Sequence, residues 1–238
     1  MGESAVGTGQ RRGCEKMPKE TEIKLRVENV PALRSVLKRL RAQRVAGPVH
    51  EHNTIFDTPE FDLAKQELLL RIRIESPARS GSKPGGRATR ALVTFKRPLT
   101  AAGANRKGQR HKVREEIELE ASDQRALGEI FEGLGLQPWF QYEKFRTTFR
   151  LPRSQAWAKR LLIELDDTPI GVFLELEGPP SAIDRAAKAL SFPKSDYILA
   201  NYMVLYREYC QRRGEQPTDM LFANKKQGAR PSKRKNFS

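Results

Sequence analysis

The chain has 238 residues, 38% of them apolar and 31% charged, and a formal net charge of +15. It contains no run of about 18 apolar residues and no apolar stretch near its start, so we expect a cytoplasmic protein without a membrane-spanning helix or a secretory signal. Its two cysteines, Cys14 and Cys210, lie far apart and no spaced Cys/His set occurs, which argues against a disulfide framework and a zinc site.

Both ends of the chain differ in composition from the middle. Residues 1–18 predict a flexible leader. Residues 211–238 carry eight Lys and Arg residues against two acids and predict a basic, disordered tail. Such a tail contacts RNA or acidic partners through counterion release, or only keeps the protein soluble, and we prefer the second interpretation. Residues 19–210 are expected to form one domain.

Much of this domain alternates between charged and apolar residues, the period-two pattern of β-strands. In the first example, "ETEIKLRV", the even positions Glu20, Glu22 and Lys24 are charged. An extended segment then ends at the proline turn of "IFDTP". A Gly-, Ser-, Pro- and Arg-rich loop (76–90) precedes the predicted strand 91–98, and a polar loop (100–112) follows it. The predicted strands are, in chain order, 20–27, 70–75, 91–98, 113–120, 142–151, 161–167 and 171–178.

Segments with apolar residues three and four positions apart predict four amphipathic helices. Pro31 suits the first turn of the first helix, and Ser122 is the predicted N-cap of the second. Ser181, with Asp184 three residues later, forms a variant of the capping box for the third. The fourth helix places Tyr202, Leu205, Tyr206 and Tyr209 on one side. The predicted helical segments are 29–43, 122–136, 181–190 and 195–210.

The charged strand faces decide between two folds. For one strand alone, a sheet with its charged face in water is a sufficient explanation. However, these faces carry mainly Glu, Asp, Arg and Lys instead of Thr, Ser and Gln, and four amphipathic helices need an apolar surface to cover. We therefore predict an α+β fold: a closed eight-stranded antiparallel β-barrel with the helices packed outside and the charged faces in the lumen.

A charged lumen of this kind predicts ion binding. Acids two residues apart on one strand lie about 7 Å apart and repel each other unless a divalent cation lies between them. The lumen bases would suit a compact polyanion, so acids and bases together indicate Mg²⁺ or Mn²⁺ bridging a phosphate chain. The acid pairs are Glu20/Glu22, Glu116/Glu118 and Glu175/Glu177.

The charged motifs also follow one another in a characteristic order. They are Glu20-x-Glu22-x-Lys24, "IFDT", Arg71-x-Arg73, "TFKRP" with Lys96, Arg114-x-Glu116-x-Glu118, Lys144-x-Arg146, Asp166, and "GVFLELEG" with Glu175 and Glu177. The first matches the ExExK signature, and the order resembles that of the CYTH superfamily, the triphosphate tunnel metalloenzymes. This group includes class IV adenylate cyclases, thiamine triphosphatases and inorganic triphosphatases. The resemblance covers nearly all of residues 19–210, although Ile55 stands where the family commonly has tyrosine.

The resemblance implies a role for each charged group. Glu116, Glu118 and Lys24 are the candidate catalytic residues, the two acids acting through a second metal or the attacking water. Asp166 would orient a cation or a lumen base, or form a structural ion pair. The implied metal ligands are Glu20, Glu22, Glu175 and Glu177, with Asp166 as a further candidate. The implied triphosphate-binding bases are Lys24, Arg71, Arg73, Lys96, Arg114, Lys144 and Arg146.

Two reactions fit these residues, with tripolyphosphate, thiamine triphosphate or ATP as substrate. Water attacking the terminal phosphorus gives hydrolysis, whereas the 3′-hydroxyl of ATP attacking the α-phosphorus gives cyclic AMP and pyrophosphate. The alternative is a non-catalytic module that binds polyphosphate or nucleic acid, which explains the net charge but not the acid pairs. Its binding bases would be those of the tail and the loop residues Arg79, Lys83, Arg87 and Arg90. The histidines at positions 50, 52 and 111 are interpreted as surface residues.

Overall fold

The computed structural model describes residues 19–78, 90–99 and 110–223. The predicted leader, most of the two predicted loops with Arg79, Lys83 and Arg87, and the end of the basic tail lie outside the described residues. In the described part, α-helices pack around one closed sheet of eight strands. The predicted α+β fold with a closed eight-stranded antiparallel barrel is therefore confirmed.

The strands follow the order β1-β5-β4-β3-β2-β6-β7-β8 around the barrel, each antiparallel to its neighbours. The barrel closes at β1, which pairs with β5 on one side, where Glu20 lies opposite Arg114, and with β8 on the other, where Lys24 lies opposite Glu175. The strands are β1 (Lys19–Arg26), β2 (Gln43–Asp57), β3 (Leu69–Pro77), β4 (Arg90–Pro98), β5 (Lys112–Ala121), β6 (Gln137–Arg150), β7 (Leu162–Thr168) and β8 (Gly171–Glu177).

Helices connect and cover the strands. None of those described is both long enough and apolar enough to cross a membrane. The short helix α2 was not predicted. The N–H groups of Leu63 and Ala64 in this helix donate hydrogen bonds to the buried carboxylate of Asp57. The helices are α1 (Val30–Arg39), α2 (Asp62–Lys65), α3 (Gln124–Gly133), α4 (Pro180–Ala189) and α5 (Tyr202–Arg213).

The largest apolar core lies between the barrel wall and the helices. Ile23 and Leu25 of β1 are fully buried and belong to one cluster with Leu33 and Leu37 of α1 and Ile183 of α4. Burying each such side chain contributes about 1.5–3 kcal/mol. Because successive side chains on a strand point to opposite faces, the charged residues that alternate with this apolar set face the lumen.

Two predicted helix caps are wrong. Asp123, not Ser122, caps α3, because its carboxylate accepts hydrogen bonds from N–H groups of the first turn. Helix α4 begins at Pro180 without a side-chain cap, so no capping box forms between Ser181 and Asp184. The Asp184 carboxylate instead contacts a lysine, a histidine and a tyrosine outside the barrel: Lys194, His111 and Tyr197.

After α5 the chain returns along β6 as residues 219–222, which we call the C-terminal strap. Backbone hydrogen bonds join Met220 to Gln141 and Glu143, and Met220 is only 1% exposed. The Glu143 carboxylate also accepts a hydrogen bond of 2.9 Å from the Phe222 N–H. Helix α5 extends to Arg213 and the strap contacts the barrel, both beyond the predicted domain boundary at residue 210.

Strand β2 is longer than predicted, because polar residues on both of its faces hide the alternation. Glu51 and Asn53 point towards the lumen, whereas His50 and His52 lie on the outer face beside Glu143. His50 is 6% exposed, so its interpretation as a surface residue is wrong. His52 and the third histidine, which contacts Asp184, are partly buried.

Candidate active site in the barrel lumen

Two cavities in the lumen collect the charged side chains. All of the predicted site residues except Asp166 line at least one of them. The outer cavity, of about 420 Å³, is lined by Lys19, Glu20, Arg73, Lys96, Glu116, Glu118, Arg146, Glu164 and Glu177. The inner cavity, of about 70 Å³, shares four of these and adds Glu22, Lys24, Leu69, Arg71, Lys112, Arg114, Tyr142, Lys144, Glu175, Asn201 and Tyr202. Bases thus outnumber acids in the inner cavity, and acids slightly outnumber bases in the outer one.

The ExExK segment places its lysine between acids of two strands. Lys24 Nζ lies 3.3 Å from Glu22 Oε1 on its own strand and 3.4 Å from Glu175 Oε1 on β8. Both neighbours and the lysine are nearly buried. Burial alone would lower the pKa of Lys24, but the two carboxylates, Glu175 first, outweigh it and raise that pKa. The lysine is therefore a fixed positive charge in the lumen.

Lys96, like Lys24, lies between acids of two strands, and it lines both cavities. Its Nζ lies 2.5 Å from Glu20 Oε2 and 3.2 Å from Glu116 Oε1. The three residues belong to β4, β1 and β5, which are neighbours in the barrel. Lys96 thus neutralises acids of two neighbouring strands, and such pairing is how a low-dielectric interior tolerates many charges.

Asp166 lies behind the cavity lining. It has no exposed surface, and its carboxylate accepts hydrogen bonds from Arg146 at 2.7 Å, Lys144 at 2.9 Å and the Tyr202 hydroxyl at 2.7 Å. These contacts are the ones expected if Asp166 forms a structural ion pair, one of the two interpretations given to it from the sequence. Its role as a metal ligand stays a prediction.

Comparison with known proteins agrees with this geometry. The family model for the CYTH domain matches residues 18–191. The chain belongs to the CYTH family. The resemblance predicted from the ExExK segment and the motifs that follow it is thereby confirmed. No curated protein matches the CYTH chain at a significant level.

Solved structures share the CYTH barrel at low sequence identity. A protein from Pyrococcus horikoshii OT3 is 21% identical with a TM-score of 0.60, covering 79% of this chain and 98% of its own. A proposed adenylate cyclase from Vibrio parahaemolyticus is 18% identical with a TM-score of 0.58, covering 81% and 97%. A proposed adenylyl cyclase from Hippeastrum, described as having a dominant triphosphatase activity, is 21% identical with a TM-score of 0.50, covering 83% and 97%. At these identities the likeness shows the fold alone.

Arg71 differs from most bases of this CYTH lumen in the kind of partner that holds it. Its guanidinium donates hydrogen bonds to the Tyr142 hydroxyl at 3.0 Å and to Thr94 Oγ1 at 2.9 Å, both neutral oxygens. Among the described residues no carboxylate forms an ion pair with it, and its buried Nε has no hydrogen-bond partner. Glu51 attracts this buried cation only from beyond ion-pair distance, so Arg71 is a candidate place for an anion to bind.

Several lumen residues were missed or given no role from the sequence. Lys112 lies at the end of a predicted loop, yet its Nζ is 2.7 Å from Glu22 Oε1. Glu51 was hidden by the polar residues on both sides of it. Tyr202 was read only as part of a helix stripe, but its hydroxyl enters the lumen. Glu164 was placed on a charged face without a role, and it contacts Arg146.

Crowding of carboxylates shifts the ionisation of the outer cavity. Burial, with Glu20 and Glu164 nearby, raises the pKa of Glu177 to about 8. Burial also raises the pKa of Glu164 to about 7, since the nearby acids offset much of the attraction of Arg146. Both shifts have the same cause: negative charges are close together in a place that water reaches poorly. A cation in the outer cavity would relieve them.

The fit of a divalent metal follows from the donor atoms. Among the described residues, no group of three or more His, Cys, Asp and Glu side chains is arranged as a finished metal site. The outer cavity nevertheless offers carboxylate oxygens, the donors that Mg²⁺ and Mn²⁺ prefer. Some of them, such as Glu20 and Glu116, now contact Lys96 and would exchange that partner for a cation.

A third cavity, of about 270 Å³, adjoins the inner one, and we call it the apolar chamber. Both are lined by Leu69, Lys112, Arg114 and Asn201. Trp139 also lines the chamber, and among the described residues its buried indole N–H has no hydrogen-bond partner. Most of the side chains around the chamber are apolar, but polar groups make up the larger part of its accessible lining, and it opens to the basic part of the lumen. Its other apolar lining residues include Ile55, Phe56, Met203 and Val204.

Proposed function

We propose that this chain is a divalent-metal-dependent enzyme that hydrolyses a triphosphate bound in the barrel lumen. The observation that carries the proposal is the convergence of bases from five strands and acids from neighbouring ones on one enclosed space. A compact polyanion is the ligand that such bases suit, and the acids require a cation if they are to remain beside it. Membership of the CYTH family supports the same class of substrate.

The bases of the inner cavity would hold the phosphate chain. Arg71 supplies a guanidinium without an acidic partner, and Lys24, Lys144 and Arg114 line the same cavity. Charge neutralisation and positioning by such groups account for most of the catalysis of phosphoryl transfer. Little covalent chemistry is asked of the protein.

The acids of the outer cavity would hold Mg²⁺ or Mn²⁺. Glu20 and Glu177 line this cavity and Glu22 and Glu175 lie next to it in the inner one. When bound, the cation would draw charge from the phosphate oxygens. Glu116 and Glu118, which also line the outer cavity, would accept the proton of the attacking water.

The apolar chamber favours an organic triphosphate and hydrolysis of its terminal phosphate. With the organic group in the chamber, the phosphate chain would run through the inner cavity, and its far end would meet the acids of the outer cavity. Cyclisation of ATP requires the 3′-hydroxyl and the α-phosphorus at the acids instead, which would take the base out of the chamber. We therefore place hydrolysis first and cyclisation second.

The test is a product assay. Purified protein is offered tripolyphosphate, thiamine triphosphate and ATP with Mg²⁺ or Mn²⁺, and phosphate, pyrophosphate and cyclic AMP are measured. We expect phosphate release that a chelator abolishes. Release of cyclic AMP would support cyclisation, and metal-independent binding without any product would support a polyphosphate- or nucleic-acid-binding module instead.

The chamber is tested by Trp139→Ala. Because Trp139 lines the chamber and not the two charged cavities, this change should raise KM for an organic triphosphate and leave KM for tripolyphosphate unchanged. Aromatic stacking contributes about 1–3 kcal/mol, which corresponds to a rise of roughly 5- to 150-fold. Equal effects on both substrates would contradict the orientation, and Leu134→Ala, at an exposed position that lines none of the three cavities, serves as the control.

A further inference from the structure

Glu51 lies in the barrel wall beneath the bases of the lumen. It is on the lumen side of β2, is 2% exposed, and lines neither charged cavity nor the apolar chamber. Its Oε2 lies 3.4 Å from Arg73 Nε and 3.4 Å from Lys144 Nζ, and its Oε1 lies 3.6 Å from Arg146 Nε. One buried carboxylate thus contacts three bases, from the two strands that flank β2.

We propose that Glu51 is a positioning residue, which fixes the side chains of Arg73, Lys144 and Arg146 in the directions that a triphosphate needs. The proposal rests on the proposed function, because it concerns the same lumen. Glu51 cannot contact a ligand in the cavities, since it does not line them. It acts only through the three bases.

The three bases that Glu51 contacts repel one another, and its carboxylate offsets this repulsion. Arg73 and Arg146 lie close enough to disfavour each other's charge, and Lys144 is close to Arg146. Long side chains also have many rotamers, so an anchor at one end reduces the entropy that binding must remove. Glu51 supplies both effects at one point, whereas Asp166 contacts only two of the three bases.

The contacts of each base indicate where the effect is largest. Arg146 has further carboxylate partners in Asp166 and Glu175, so it should keep its place without Glu51. Arg73 has in addition Asn53 Oδ1 at 3.2 Å and a more distant carboxylate at 3.6 Å. Arg73 should therefore move more than Arg146.

The decisive variant is Glu51→Gln, which keeps the shape and removes the charge. We expect kcat for the triphosphate that is turned over to fall by about 100-fold, the cost of a misplacement of about 1 Å. Binding of tripolyphosphate in the presence of a chelator should stay equal or become tighter, because a negative charge near the polyanion is gone. Glu51→Asp, which keeps the charge on a shorter arm, should recover part of kcat.

Asp184→Asn is the matched control. Asp184 also contacts three side chains, but outside the barrel, so this variant should lower the melting temperature and leave kcat unchanged. If Glu51→Gln behaves in the same way, the carboxylate is only structural and the proposal is overturned. It is also overturned if tripolyphosphate binding is lost, since the carboxylate would then hold the lumen together instead of only directing the bases.

A measurement without turnover separates this proposal from the proposed function. In ¹⁵N-labelled protein, the Nε–H signals of Arg73 and Arg146 should be sharp and protected from exchange, and Glu51→Gln should broaden the Arg73 signal more. An unchanged Arg73 signal would overturn the positioning role even if the enzyme is active. A changed signal in a protein that hydrolyses no triphosphate would instead keep the positioning role and refute the enzyme.

Discussion

Individual charges in the lumen differ in whether they have a partner. Lys24 and Lys96 each contact two carboxylates, whereas among the described residues Arg71 donates hydrogen bonds only to the hydroxyls of Tyr142 and Thr94. A paired base must give up a carboxylate before it can bind a phosphate fully, but Arg71 need not. An anion should therefore gain more at Arg71 than at Lys24 or Lys96.

Arg71→Met tests this difference. Affinity for tripolyphosphate should fall by about 10- to 100-fold, because a hydrogen bond to a charged group contributes about 1.5–3 kcal/mol. The melting temperature should stay close to that of the wild type, since an apolar side chain of similar length replaces a buried charge that has no direct ion pair among the described residues. Calorimetric titration and thermal unfolding measure the two effects.

Arg97→Met is the comparison for Arg71→Met. Arg97 is exposed on the outside of the same sheet, where its Nε lies 2.7 Å from Glu115 Oε2. Affinity for tripolyphosphate should not change in this variant. Equal affinities in both variants would show that Arg71 does not meet the polyanion.

Among the elements, β6 links the lumen to the C-terminal strap. On its inner face Tyr142 contacts Arg71, and on its edge Glu143 contacts the Phe222 N–H of the strap and the ring of His52. Met220 of the strap packs in one cluster with Tyr142. The strap therefore packs against the part of β6 whose Tyr142 accepts the hydrogen bond from Arg71.

The attachment of the strap should depend on pH through His52. Its Nδ1 lies 3.4 Å from Glu143 Oε1 and its Nε2 3.0 Å from Gln141 Oε1, so both ring nitrogens face acceptors. The hydrogen bond to Glu143 raises the pKa of His52 above its usual 6.5. Because the folded-state pKa is the higher one, this stabilisation is fully present below about pH 6.5 and is lost as the pH rises through the folded-state value.

Thermal unfolding of His52→Gln against the wild type, from pH 5.5 to 8.5, measures this effect. We expect the difference in melting temperature to be largest at the acidic end and to decrease towards the alkaline end. In a Glu143→Gln background the difference should vary less with pH, and what remains is due to Gln141 and Asp219, which also raise the pKa of His52. A difference that grows with pH would contradict the assignment.

In the molecule as a whole, the acids and bases of the lumen largely neutralise each other. Acids and bases of neighbouring strands are paired, so a cation alone must separate acids from lysines, and a polyanion alone must separate bases from glutamates. Each ligand leaves behind the charges that the other one binds. Binding of the two should therefore be positively coupled, beyond their affinity for each other.

Thermal shifts provide the measurement of this coupling. A non-hydrolysable imido analogue of tripolyphosphate and Mg²⁺ are added separately and together, with the free concentrations of both held fixed. The shift with both ligands should exceed the sum of the separate shifts. Additive shifts would mean that the acids and bases bind their ligands without exchanging partners.

The sequence predicted the barrel but only part of the lumen, for physical reasons. Where apolar and charged residues alternate, as at Ile23 and Lys24, the orientation of every side chain follows. At Glu51 both neighbours are polar, so burial could not be inferred. The apolar chamber around Trp139 is built from segments that are distant in the chain, and no local pattern reports such a space. That Arg71 is held by two hydroxyls and not by a carboxylate depends on contacts between strands, which no local sequence pattern reports.

The position of β1 has a consequence for how this protein is made. Its two neighbours are β5 and β8, so a strand synthesised early remains half unpaired until the last strand leaves the ribosome. At translation rates of about 5–20 residues per second, that delay is on the order of ten seconds. During this time the edge that carries Glu22 and Lys24 is open to strands of other nascent chains. Its row of charged side chains is costly to bury against another strand, which protects the chain until the ring can close.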